Sequence, residues 1–217
     1  MKIIDLSHQM ENGMPYYPGD DPPNFKQVST HEKDGAQVTH LKISTHTGTH
    51  LDTPAHFIAN GLTTDVMDLD NFYGRGVLID CSNFGKKQQI PAGLISTYKA
   101  KLEEADYALI FTGWDVHWGT KDYFDHFPVL SVEATELLVN FNLKGIGLDF
   151  PSIDSIDSTE YPNHKLVLGK GMIIIENLTN LINLIDKPFH FAAFPLKIKK
   201  GDGSSVRAVA FADPNKS

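Results

Sequence analysis

Apolar residues along this chain come in short runs, broken by polar turns at intervals too close for long helices. Runs rich in Val, Ile, Leu and Phe predict strands over 2–7, 38–45, 76–81, 107–112, 145–150, 172–176, 190–197 and 206–212. Helical periodicity lies between several of them. Residues 94–102 follow Pro91, and 132–141 follow Ser131, an N-cap with Glu133 favourably placed against the helix dipole. A further short helix after Glu176 would carry Leu178, Leu181, Ile182 and Ile185 on one face. Strands alternating with helices in the middle, and hairpin-like strands around the KGDGSS turn, predict an α/β fold with helices packed on a mixed sheet. No repeat or linker interrupts the pattern, so one domain spanning 1–217 is expected.

Several predicted strands end in a polar residue: Asp80, Thr112, Asp149 and Glu176. The carboxyl ends of strands face the ligand crevice in open α/β sheets, although a polar residue there is most often the start of a turn. A denser signal is the segment 44–57, STHTGTHLDTPAHF. Its His46, His50, Asp52 and His56 share one parity, so an extended chain would point all four to one face. β-Branched residues, Gly48 and Pro54 disfavour a helix here. Four extended residues span about 13 Å, whereas ligands of one ion lie about 3 to 4 Å apart, so His46 and His50 can share an ion only if the chain bends, and Gly48 can supply the bend. Nitrogen and oxygen donors without thiolate point to Zn²⁺, Mn²⁺ or Fe²⁺, with zinc the first choice. His8, His31, His40, His117, His126 and His190 stand isolated and are assigned no role.

Composition narrows the function classes. The chain of 217 residues carries a net charge of −8 and no Lys/Arg cluster beyond the short KIKKG group, which argues against nucleic acid or an anionic membrane surface as partner. Its apolar runs are strand-sized, and MKIIDLSH turns polar too soon for a secretory signal, so a cytoplasmic protein is expected. Cys81 is the only cysteine. It follows an apolar strand without a neighbouring His or helix N-terminus, which disfavours a cysteine hydrolase. A non-enzymatic metal-binding protein is a further class, and it would need a coordinatively closed site with no water on the metal.

The run HTGTHLDTPAHF matches every fixed position of H-x-G-T-H-x-D-x-P-x-H-F, and by it the chain resembles the cyclase family of metal-dependent hydrolases, which includes bacterial kynurenine formamidases (arylformamidases) and isatin hydrolases. IDLSHQM, PYYPGD, TGWD, GIGLDFPSID, IIIENLTNL, FPLKI and VRAVAF extend the likeness over nearly the whole chain. The resemblance implies a swivelling β/β/α fold, usually a homodimer or homotetramer. It implies that His46, His50 and Asp52 bind one metal ion and that Asp52, His164 and Glu176 bind a second, with Asp52 bridging and His56 as general base. Asp149 and Asp154 are read as turn residues or as groups orienting the ligands. The implied activity is hydrolysis of N-formyl-L-kynurenine to L-kynurenine and formate in tryptophan catabolism; hydrolysis of a cyclic amide or lactone is the alternative. Phe57 and Trp114 are the first candidates for an aromatic substrate pocket, with Tyr16, Tyr17 and Phe150 behind them. Formamidases of the family tend to carry Trp near the first strand's Asp, where this chain has Ile4.

Overall fold

The computed structural model describes residues 1–212. In chain order its strands are β1 (Lys2–Asp5), β2 (Asn24–Ser29), β3 (Val38–Lys42), β4 (His50–Asp52), β5 (Tyr73–Asp80), β6 (Gln89–Ile90), β7 (Tyr107–Phe111), β8 (Val129–Leu130), β9 (Gly145–Leu148), β10 (Ile173–Glu176), β11 (Phe189–Ala192), β12 (Gly203–Ser205) and β13 (Val209–Ala212). The α-helices are α1 (His31–Asp34), α2 (Ala92–Ser96), α3 (Lys99–Leu102), α4 (Val132–Leu138) and α5 (Pro162–Gly169). Nine strands form one mixed sheet in the order β1-β13-β11-β5-β7-β9-β10-β4-β12, parallel only from β5 to β10. The sheet curls back on itself, because Leu6 donates to the Ala208 carbonyl, Ser7 bridges to Leu178 and Val206 donates to the Thr49 carbonyl.

This curl explains why the central runs are apolar at every position rather than alternating. In β7, Ala108 and Ile110 face the core under the helices, while Tyr107, Leu109 and Phe111 fill the inside of the curl. The same split places Ile174 with the helices and Ile173 and Ile175 inside. Asp52 pairs with Ile174, and Glu176 with His50, so the three polar side chains stand on the helix face beside α5.

The predicted α/β class is the observed one, and most strands lie where the apolar runs put them, with differences that have local causes. The 94–102 helix is two, α2 and α3, broken where Thr97 bonds its side chain to the Leu94 carbonyl and the Tyr98 hydroxyl turns to accept from Asp80 N. The 132–141 helix stops at Leu138, with Ser131 capping Ala134 N as expected. The 190–197 strand ends at Ala192, ahead of Pro195. The 38–45 strand ends at Lys42, where its partner begins at Asn24, and 206–208 bond to Thr49 and Ser7 before β13 starts. After Glu176 the chain forms a 3₁₀ turn, Leu181–Leu184, whose period of three buries Leu178, Leu181 and Leu184 and leaves Ile182 61% exposed. The strands flanking KGDGSS, β11 and β13, pair antiparallel as expected, while the KGDGSS segment itself supplies β12, which pairs with β4. Strand β2 and helix α5 were not anticipated. No helix among the described residues is long and apolar enough to cross a membrane.

Candidate metal centre

The motif strand β4 is only three residues long, yet it is buried throughout and paired on both sides, by β10 and β12. Just before it, Gly48 adopts φ +67°, supplying the expected bend; a Cβ there would meet Met14 Cε at 3.0 Å. The Gly48 carbonyl accepts from Asn177 Nδ2 at 2.9 Å and lies 2.8 Å from His50 Nδ1. Beyond β4 the chain does not stay extended, as the parity argument supposed. Pro54 starts a 3₁₀ turn, Pro54–His56, and it is this turn that brings His56 back over the site.

The structure gathers His46, His50, Asp52, His56, His164 and Glu176 around one cavity. His46 Nδ1 lies 2.7 Å from Asp52 Oδ1, and His50 Nε2 lies 3.4 Å from the same oxygen and 3.6 Å from Glu176 Oε2. His164 Nε2 lies 3.8 Å from Asp52 Oδ2 and 3.6 Å from Glu176 Oε1. Distances of 3.4 to 3.8 Å are too long for hydrogen bonds. They match the edge between two ligands that each sit about 2.0 to 2.2 Å from a shared ion. The donors fall into two sets about Asp52, one on each carboxylate oxygen. The outer nitrogen of each of the three histidines is also held: His46 Nε2 by Asp202 at 2.9 Å, His50 Nδ1 by the Gly48 carbonyl, and His164 Nδ1 by Asp154 at 2.7 Å. A metal-ligating imidazole needs such an outer partner to fix its tautomer and raise its basicity. The donor chemistry and spacing therefore fit a divalent cation.

Asp154 comes from the loop after β9. Its carboxylate also accepts from Asn163 N and His164 N, capping the start of α5 while orienting the His164 ring that α5 carries. Asp149, by contrast, serves a turn: it accepts from Thr112 N, Thr112 Oγ1 and Gly113 N. Asp80 likewise accepts from Ser82 N.

Charge in the centre is tightly coupled. Burial would raise the pKa of Asp52, but the facing His46 and His50 hold it well below the usual carboxylate range. Burial opposes protonation of His46 and His164, yet Asp52 and Asp202 lift His46 to about 9, and Asp154, Glu176 and Asp52 lift His164 to about 10. Without a cation both rings therefore hold a proton at neutral pH, and a cation must displace it. Metal affinity is expected to rise with pH from 6 to 9, with protons released on loading. Calorimetric titration in buffers of different ionisation enthalpy measures the release; an affinity flat across that range would contradict the protonated resting state. His56 behaves differently. Burial pushes its pKa below the usual histidine value, and the pull of Asp52 does not reverse this, so the ring is neutral at pH 7. Its Nδ1 lies 3.5 Å from Asp202 Oδ2, and its ring centroid 4.0 Å from that of His46. His46, Asp52 and His56 also come within ligand reach of one another.

The cavity over the centre has a volume of about 250 Å³ and walls of Tyr16, Tyr17, Phe57, Trp118, Phe124 and Tyr161. Phe57 is where the sequence put it, stacked on His164 at 4.5 Å. Trp114 is not: it is buried under the helices with its indole N–H bonded to the Tyr123 carbonyl, and Trp118, one 3₁₀ turn further on, takes the wall instead. Phe150 is likewise core. Ile4 pairs with Ala210 at the far side of the sheet and does not line the cavity, so its departure from the formamidase pattern leaves the wall untouched. None of the isolated histidines lines the cavity; His8 stacks on Trp118 from behind at 4.0 Å. Asp202, Tyr161 and Trp118 are the residues that sequence reasoning missed.

The chain is 32% identical to kynurenine formamidase of Bacillus thuringiensis subsp. konkukian (strain 97-27) over 210 residues, 95% of each chain. Among solved structures it superposes on isatin hydrolase A from Labrenzia aggregata, bound to benzyl benzoate, with a TM-score of 0.86 and 27% identity, covering 96% of this chain and 93% of that one. An isatin hydrolase bound to the product analogue thioisatinate superposes with a TM-score of 0.89 at 24% identity, over 99% and 93% of the two chains, a likeness of fold. With the family model described as putative cyclase matching residues 4–155, the chain belongs to the cyclase family.

Proposed function

We propose that this protein is an arylformamidase that hydrolyses N-formyl-L-kynurenine to L-kynurenine and formate. The observation that carries the reading is an aromatic-walled cavity opening on the His, Asp and Glu centre, and the 32% identity to a kynurenine formamidase supports it. Such walls suit a flat aryl ketone, and the amide to be cleaved sits at its ring edge.

In this reading His46, His50 and Asp52 hold one zinc ion, and Asp52, His164 and Glu176 a second. Bound there, the cation supplies Lewis acidity that activates water near neutral pH and polarises the formyl carbonyl. The neutral His56 takes the proton of the attacking water. Water adds to the formyl carbon, the C–N bond breaks, and the proton held on His56 passes to the departing arylamine nitrogen. Phe57, stacked on His164, and the Tyr161 ring 5.2 Å from it close the wall beside the base and limit access of bulk water. Manganese is the alternative metal. A single domain and a cytoplasmic location, which rest on the sequence pattern, and assembly as a homodimer or homotetramer, which rests on family likeness, belong to the same proposal; light scattering tests the assembly.

The test is hydrolysis of N-formylkynurenine by protein stripped of metal and reloaded with zinc or manganese. Turnover absent after stripping and restored on reloading is the expected result. Metal binding without turnover of this substrate would turn the assignment to isatin and other cyclic amides or lactones, the reading that the isatin hydrolase likeness favours.

A further inference from the structure

We infer that Asp202 is a positioning residue that ties the metal ligand His46 to the base His56 through one carboxylate; the inference rests on the roles proposed above for those two histidines. Asp202 lies in the turn before β12, far along the chain from the motif, and the fold folds it back onto both ends of that motif. Its Oδ2 lies 2.9 Å from His46 Nε2 and 3.5 Å from His56 Nδ1, and its Oδ1 accepts from Thr45 Oγ1 at 3.0 Å. Its backbone carbonyl accepts from Thr53 N at 2.9 Å and Thr53 Oγ1 at 3.0 Å. The backbone is thereby anchored after β4, and the side chain cannot swing away without losing its bonds to Thr45 and His46 before it. The next residue has the same dependence. A Cβ on Gly203 would lie 2.8 Å from His46 Cε1 and 2.7 Å from the Leu51 carbonyl, so only glycine lets the His46 ring approach Asp202 and Asp52 together.

The chemistry follows from which nitrogen carries the proton. Accepting from His46 Nε2–H, Asp202 leaves the Nδ1 lone pair aimed at the ion site beside Asp52 Oδ1. Asp202 Oδ2 also faces His56 Nδ1 at 3.5 Å, beyond hydrogen-bond range, and a bond closing there would put the ring proton on Nδ1 and leave His56 Nε2 to take up another. The longer His56 arm is an orienting contact of the kind that tightens when substrate binds. One carboxylate thus holds the tautomer of His46 and stands poised to do the same for His56, whose ring centroid lies 4.0 Å from that of His46.

The test replaces Asp202 by Asn, which keeps shape and an acceptor but loses the charge, and by Ala, with zinc affinity measured by chelator competition and kcat measured at saturating zinc. Both variants are expected to bind zinc about 10- to 100-fold more weakly, and to lose at least about tenfold in kcat once saturated, with Ala the worse of the two and KM little changed. In a His56→Ala background the kcat loss should vanish while the affinity loss persists. Unchanged zinc affinity in both variants overturns the tie to His46, and unchanged kcat at saturating zinc overturns the tie to His56. The affinity arm needs no substrate, so it fails or succeeds separately from the formamidase reading. Should Asp202→Ala not fold, Asp202→Asn decides both arms.

Discussion

Asp52→Asn is expected to empty the metal centre and abolish turnover. Asp52 is 1% exposed and, among the described residues, is the only one that faces all three of the proposed ligands His46, His50 and His164, through Oδ1 towards the first two and through Oδ2 towards the third. The substitution keeps the volume and the strand, so β4 should still pair with β10 and β12. What it removes is the charge that both donor sets share. One carboxylate, Glu176, would remain among the buried donors, facing the imidazoles of His50 and His164. Loss of zinc affinity should exceed the roughly 10- to 100-fold typical of an outer partner such as Asp202. Metal content after gel filtration, with far-ultraviolet circular dichroism as the check on folding, measures it. A folded Asp52→Asn protein that retains stoichiometric metal would show that the ion does not depend on this carboxylate.

His56→Ala carries the second large effect and separates two roles that geometry alone leaves adjacent. As the base, His56 contributes about 10²- to 10⁴-fold, or roughly 3 to 5 kcal/mol of barrier, so kcat should fall by that factor with metal content unchanged. As a ligand it would carry the metal with it, because His46, Asp52 and His56 lie within ligand reach. The neutral ring that burial enforces favours the first outcome, since an imidazole that already held a proton could not accept one. A fall in metal content parallel to the fall in kcat would move His56 into the coordination shell.

How much of this was legible in the sequence depended on the distance between partners. His46, His50, Asp52 and His56 fall within eleven residues, and their shared parity announced a common face even though the last of them reaches the site by a 3₁₀ turn rather than by extension. Glu176 was visible as a strand terminus, but it became a candidate ligand, with His164, only through resemblance, because α5 follows a polar loop with little periodicity. Asp202 was invisible for a plainer reason. An Asp-Gly pair in a polar stretch reads as a turn, and nothing local reveals that its partner His46 lies 156 residues away. The same limit explains Trp114 and Trp118. Four residues apart, they would share a face of an α-helix, but the 3₁₀ turn over Trp114–His117 sends one into the core and the other to the cavity.

The centre and its walls are built from different parts of the chain. Three of the six histidine and acid groups, His50, Asp52 and Glu176, stand on paired strands whose register fixes them, because a slip of one residue would turn every one of them away. Most of the aromatic walls stand on connecting segments, Tyr16 and Tyr17 before β2, Trp118 and Phe124 after β7, and Tyr161 at the entry to α5. Connections tolerate exchange where strands do not. The walls of the cavity can therefore change by exchange of loop aromatics while the strand register keeps His50, Asp52 and Glu176 in place, so that the width and chemistry of the opening vary independently of the buried donors beneath it.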